Sequence, residues 1–362
     1  VVALNGRGQA PPLPKIGFGM YFRSKRESIT DNFAMSIFVL VIFVLVVFAT
    51  MVGLIGCQRE RSGISHTQKP VDDSYPFFIM NLRQKDFGGS DIKIVRTLEE
   101  NEDFTSYLIT YNSEGLQIIG MMNVPKGKGP FPAIILNHGH YDPKRFTIGY
   151  GFKDAADFFA RSGYIAIGSN YRNYGDSDRG SDSFIYNGSL YDVLYLVNAV
   201  KRLSYVDPER IGMWGHSGGG GLTLKSIVVN SSIKAAALYA SMSADDVDNY
   251  NVMKKWHPHE IKEFTDKMGS PKGNPEVFAK MSPINYLSDL NAPVIIHHGE
   301  RDQAVPISWS EKLRNTLIKE GKKVEYYSYP NQEHTLEGKA RNEAMERTLT
   351  FFNRYVKGSA KN

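Results

Sequence analysis

Ile211-Gly212-Met213-Trp214-Gly215-His216-Ser217-Gly218-Gly219 lies past the midpoint of a 362-residue chain and decides how the rest is read. Ile211–Trp214 is a short apolar run of strand type, and residues 221–229 carry a helical pattern. Between them stands G-x-S-x-G. On a strand-to-helix turn this motif forms a nucleophile elbow: a serine on strained backbone, with small neighbours that let adjacent chain approach. The turn lifts the Ser217 hydroxyl above the sheet and aims the Gly218 N–H at a developing oxyanion. A phosphate-binding loop is excluded, because no Gly-Lys-Ser/Thr follows.

A serine is a weak nucleophile without a base. His334, in Pro330-Asn331-Gln332-Glu333-His334, lies just past the last strand-like run and before the last helix, where the base belongs in the order serine, acid, histidine. The acid belongs after the preceding strand. Asp302 in His298-Gly299-Glu300-Arg301-Asp302 has that place, and Glu300 is its rival, two residues nearer the strand. The loop His138-Gly139-His140-Tyr141 follows an earlier strand, Ala133–Leu136, and offers the second oxyanion donor. The His140 N–H is the first choice and Tyr141 the second, with Tyr141 also a candidate substrate contact. His216 is expected to pack beside the serine, and at least one of His297 and His298 to be buried and satisfied. His257 and His259 flank a proline with no evident third ligand, so no metal and no cofactor is assigned.

Outward from the elbow, strand-like and helix-like segments alternate. Strands are expected at Tyr164–Gly168, Ala235–Ala240, Pro293–His297 and Val324–Tyr329. Helices are expected at 153–162 and 188–203, around Trp309, Leu313 and Leu317, and around Met345, Leu349 and Phe352. Such alternation gives an α/β fold with a mainly parallel sheet covered by helices on both faces. Thr105–Tyr111 and Leu116–Val124, joined by Asn112-Ser113-Glu114-Gly115, read as an antiparallel hairpin at its front. Residues 242–290, with Met253, Trp256, Phe264, Met268 and Met281, read as a small helical cap over the pocket. Trp256 is a candidate substrate contact there, and ordinary core packing is the alternative for the same side chains.

The amino-terminal part is an address. Residues 33–57 are apolar save for Ser36 and Thr50, long enough to span a bilayer, and preceded by Arg23, Lys25 and Arg26. Met20 is the expected start, since it supplies that basic region. The run ends in Leu54-Ile55-Gly56-Cys57, which is similar to a bacterial lipobox with Cys57 as the lipid attachment point. An uncleaved transmembrane anchor is the alternative. Either places the body outside the cytoplasm and on a membrane. Cys57 is the one cysteine, which excludes an internal disulfide and a multi-cysteine metal site. Of the net charge of +5, most belongs to this leader, so the body is near neutral and offers no nucleic-acid surface. The expected division is 1–57 extension with signal or anchor, 58–103 linker and lead-in, and 104–358 catalytic domain.

From about Leu116 to Val356 the chain resembles the catalytic domain of the prolyl oligopeptidase family and its small esterase relatives. The matching pieces are Asp207-Pro208-Glu209-Arg210-Ile211-Gly212 leading into the elbow, Ser282-Pro283-Ile284, His298 through Pro306, and Glu333-His334. Asn170-Tyr171-Arg172 matches a loop beside the site. The resemblance implies an α/β-hydrolase fold and a Ser217, Asp302, His334 triad. It departs where the family often has His-Gly-Gly and this chain has His140. The stretch between Cys57 and the hairpin is too short for a β-propeller of four or more blades. The expectation is therefore a serine carboxylesterase acting on small to medium acyl esters, with a peptidase on short peptides as the alternative.

Overall fold

The computed structural model describes residues 72–88, 91–181 and 188–358. Residues 33–57, Cys57 and His66 lie outside them. No helix among the described residues is long and apolar enough to cross a membrane.

Among the described residues one nine-stranded sheet has the order β1-β2-β3-β5-β4-β6-β7-β8-β9. The strands are β1 Lys93–Glu100, β2 Phe104–Ser113, β3 Leu116–Pro125, β4 Phe131–Asn137, β5 Ile165–Ser169, β6 Val206–His216, β7 Ala235–Tyr239, β8 Val294–Gly299 and β9 Val324–Tyr329. From β5 to β9 the pairings are parallel, and β1, β2, β3 and β5 pair antiparallel in turn. The helices are α1 Ile79–Gln84, α2 Lys153–Arg161, α3 Gly188–Val200, α4 Gly218–Val229, α5 Asp246–Trp256, α6 Pro258–Met268, α7 Pro275–Met281, α8 Ile307–Lys319 and α9 Gly338–Phe352.

Side-chain alternation along the central strands divides the interior in two. Ile135, Ile167, Met213 and Ile296 face one core, with Leu194 and Val197 of α3, Leu224 of α4 and Leu313 of α8. Ile134, Ala166, Trp214 and Ile295 face the other, with Ala156 and Phe159 of α2 and Phe352 of α9. Because both faces are buried, these strands read as continuous apolar runs, which is why the sequence locates them. The front hairpin turns on Glu114 and Gly115, both at positive φ, a two-residue connection whose twist suits the flanking strands.

Two findings depart from the sequence reading. The lead-in 58–103 contains elements of the body: α1 buries Ile79 and Leu82, and β1 pairs along β2. β1 has no buried residue; Ile94 and Val95 are exposed, and two register irregularities interrupt the edge. A strand without a core face carries no apolar alternation to detect. The second departure concerns 242–290. This segment is helical, but Met253, Phe264 and Met281 pack with Phe77, Phe78, Val277 and Phe278 into a core of its own and are buried there. Trp256, at the last residue of α5, is 48% exposed.

Candidate active site

β6 ends one residue before Ser217, and α4 starts one residue after it. Ser217 has φ 57° and ψ −120°, a conformation that costs an L-residue on the order of 1–3 kcal/mol and persists when neighbours impose it. The Ser217 N–H donates to the Tyr239 carbonyl at 2.9 Å, and the Ser217 carbonyl accepts from Gly220, Gly221 and Met242. Glycine is needed on both sides of the turn. A Cβ at Gly215 would meet the Gly219 carbonyl oxygen at 2.2 Å, and one at Gly219 would meet the Asn137 carbonyl oxygen at 2.1 Å.

The loops after β8 and β9 are laced together at their roots. Glu300 N–H donates to the Tyr329 carbonyl and Arg301 N–H to the Gln332 carbonyl. Asp302 and His334 project from these two loops and meet: His334 Nδ1 donates to Asp302 Oδ2 at 2.7 Å. The other carboxylate oxygen accepts from the N–H groups of Ala304 and Val305. Burial by itself would raise the Asp302 pKa. Hydrogen bonds from His298, His334 and Val305 outweigh it and hold the group well below the usual carboxylate range, so it is ionised at neutral pH. Glu300 points elsewhere, accepting from the Ser328 hydroxyl at an exposed position.

His216, the residue before the serine, packs under His334. Its ring lies 4.8 Å from that of His334 and 4.3 Å from that of Tyr239. Its Nε2–H donates to the His334 carbonyl at 3.1 Å. Burial lowers its pKa to about 4, so it stays a neutral donor through ordinary pH. The Tyr239 hydroxyl accepts from the Leu336 N–H, which ties the same loop down two residues further on. Among the described residues no hydrogen bond joins the Ser217 hydroxyl to another group.

The loop after β4 presses on the elbow from the other side. A Cβ at Gly139 would lie 3.0 Å from the Ser217 Cβ, so the two chains touch. His138 beneath is buried, stacked at 4.1 Å on Tyr171, with its nitrogens facing the carbonyls of Gly139 and Asn170. The N–H groups of Gly218 and His140 are taken by no other group among the described residues. For Gly218 the reason is its position at the first turn of α4. The His140 ring is exposed, 3.2 Å from the Tyr174 hydroxyl and 4.8 Å from the ring of His257 in the inserted helices. Asn170-Tyr171-Arg172 supports this loop from below, and Arg172 is itself buried in an ion pair with Asp192 at 2.8 Å.

A cavity of about 1090 Å³ opens beside the two loops, lined near the site by Tyr141, His216, Tyr239 and Leu336 and further out by residues of α2 and α9. Trp256 does not line it. Among the described residues no three His, Cys, Asp or Glu side chains gather as a metal site. Sequence reasoning missed the clamps on the His334 loop, Tyr239 among them, since their partners come from separate strands.

The sequence pattern of the prolyl oligopeptidase family matches residues 150–359. An uncharacterized peptidase of Bacillus subtilis, YuxL, is 27% identical over 294 residues, covering 76% of this chain and 42% of its own. The chain thus spans about two-fifths of that relative's length. Among solved structures, the acylaminoacyl peptidase of Pyrococcus horikoshii superposes with a TM-score of 0.56 at 22% identity, over 73% of this chain and 43% of its own. An acetyl xylan esterase from Paenibacillus sp. R4 superposes with a TM-score of 0.62 at 18% identity, over 80% of this chain and 98% of its own.

Proposed function

Since the chain belongs to the prolyl oligopeptidase family, we propose that it is a serine hydrolase and, within that class, a carboxylesterase for small to medium acyl esters. The observation that carries this reading is the Asp302–His334 hydrogen bond at 2.7 Å beside the strained Ser217, with the N–H groups of Gly218 and His140 left unspent.

The chemistry follows from that geometry. Ser217 Oγ attacks the ester carbonyl carbon while His334 Nε2 takes its proton. Asp302 holds the imidazole with Nδ1 protonated and stabilises the imidazolium that forms. The carbonyl oxygen becomes an oxyanion and accepts hydrogen bonds from Gly218 and His140, each typically worth about 3 kcal/mol in the transition state. The C–O bond to the alcohol breaks, and His334 returns the proton to the leaving oxygen. Water then attacks the acyl-serine by the same path, freeing the acid and restoring Ser217.

One consideration supports esters over peptides: an alkoxide leaves with less proton assistance than an amine needs. The test is a pair of matched substrates, p-nitrophenyl esters and p-nitroanilides of the same acyl groups, with Ser217→Ala as control. Esters are expected to turn over faster per site, and the variant to lose on the order of 10⁴-fold or more in kcat. Faster anilide cleavage makes the protein a peptidase. Wild-type rates in Ser217→Ala remove the serine mechanism altogether.

A further inference from the structure

Asp302 has a second imidazole. His298 Nε2 lies 3.1 Å from Asp302 Oδ2, the same oxygen that receives His334. It also lies 3.0 Å from the Val305 carbonyl oxygen. Both neighbours are acceptors, so Nε2 must carry the proton. In the neutral ring Nδ1 is then the acceptor, and the Ser310 hydroxyl stands 2.7 Å from it as the donor. His298 is fully buried and Ser310 nearly so. The groups form one line, Ser310 to His298 to Asp302 to His334, spanning the first turn of α8, β8, the loop after β8 and the loop after β9. The spacing from His298 to Asp302 is four residues, which lets one tight loop bring the histidine back against the acid.

We propose that His298 and Ser310 are positioning residues that set the strength of the Asp302–His334 hydrogen bond, a proposal resting on the reading of Asp302 as the catalytic acid. The Nε2–H of His298 draws off part of the negative charge on Oδ2. It thereby limits how strongly the carboxylate favours the protonated form of His334, and it fixes which oxygen faces the base. The Ser310 hydroxyl locks the tautomer and makes the ring a better donor. A side chain that only filled space here would affect stability and not the titration of His334.

The other titratable groups facing His334 come from different strands. His216 of β6 is kept neutral by burial, with a pKa of about 4. Tyr239 of β7 is kept protonated by burial, which raises its phenol well above the ordinary value. Neither changes charge through the neutral range, so the readout belongs to Asp302 and its donors.

The experiment is an NMR titration of histidine-labelled full-length protein, following His334 in the wild type, Ser310→Ala, His298→Leu and His298→Gln. Its readout does not depend on turnover. Removing the donor in His298→Leu is expected to raise the His334 pKa by roughly half a unit to one unit. Ser310→Ala is expected to move it the same way by less. His298→Gln, whose amide N–H can reach Oδ2, is expected to return it toward the wild-type value. An unmoved His334 in folded Ser310→Ala and His298→Leu overturns the proposal. If His298→Leu fails to fold, an unmoved Ser310→Ala does so alone. Absence of ester and anilide turnover in the wild type would count against the hydrolase reading and leave this titration readable.

Discussion

Asp302 and Glu300 are two residues apart on one loop, and physical context separates them. The Asp302 carboxylate has no solvent exposure and accepts from two backbone N–H groups and two imidazoles. Glu300 is exposed and bonded to Ser328. Asp302→Asn is therefore expected to lower kcat on the order of 10⁴-fold, because the amide favours the wrong tautomer of His334. Glu300→Gln should leave kcat within a few-fold of wild type. Steady-state kinetics on a p-nitrophenyl ester checks both, and the reverse pattern would make Glu300 the acid. Motif position in the sequence already favours Asp302. The clamps of His216 and Tyr239 on the base loop were not legible, because a contact between β6, β7 and the loop after β9 leaves no trace in local spacing.

At the level of elements, the loop after β5 carries the oxyanion loop on its back. Tyr171 and Asn173 take positive φ there, and Tyr171 stacks under His138. Arg172 anchors the turn, reaching Asp192 of α3 through Nε and both Oδ atoms while its own N–H donates to Oδ2. Both side chains are almost wholly buried. Such a pair adds little net stability against an apolar replacement, but stripping one partner leaves a buried charge. Arg172→Ala is expected to destabilise the protein by about 3–5 kcal/mol. Urea denaturation measures this, and a loss under about 1 kcal/mol would show that the pair does not hold the loop. The motif Asn170-Tyr171-Arg172 was legible as a segment near the site, and its mechanical role was not, since Asp192 is twenty residues away on a helix. The exposed edge β1 escaped for the opposite reason: its pairing with β2 is real but leaves only Leu98 partly buried.

Over the whole molecule, the buried histidines set an acid limit. Burial lowers the pKa of His138 and of His216 to about 4, and that of His297 to about 3. Unfolded, each would titrate near 6.5. Between those values the unfolded chain binds more protons than the folded one, so stability falls as pH drops from about 6.5 toward 4. Each such gap is worth on the order of 3 kcal/mol, and the ionised Asp302 adds a further loss below the ordinary carboxylate range. Thermal midpoints measured from pH 7 to pH 4 are expected to decline throughout, with most of the fall below pH 6. A flat profile would mean that these rings are solvated. What the sequence determined by itself is the succession of buried strands and helices, the elbow, and the order of serine, acid and base. Each of these is written in local pattern: apolar runs for strands buried on both faces, glycines where a Cβ cannot fit, and acid and base just past strand ends. What the tertiary structure alone decided is the mutual arrangement. It put His216 under His334, His298 behind Asp302, Arg172 against α3, and Tyr250, Phe264 and Phe278 into one core with Phe77 and Phe78. Those contacts join residues distant in sequence, and packing in three dimensions, not periodicity along the chain, selects them.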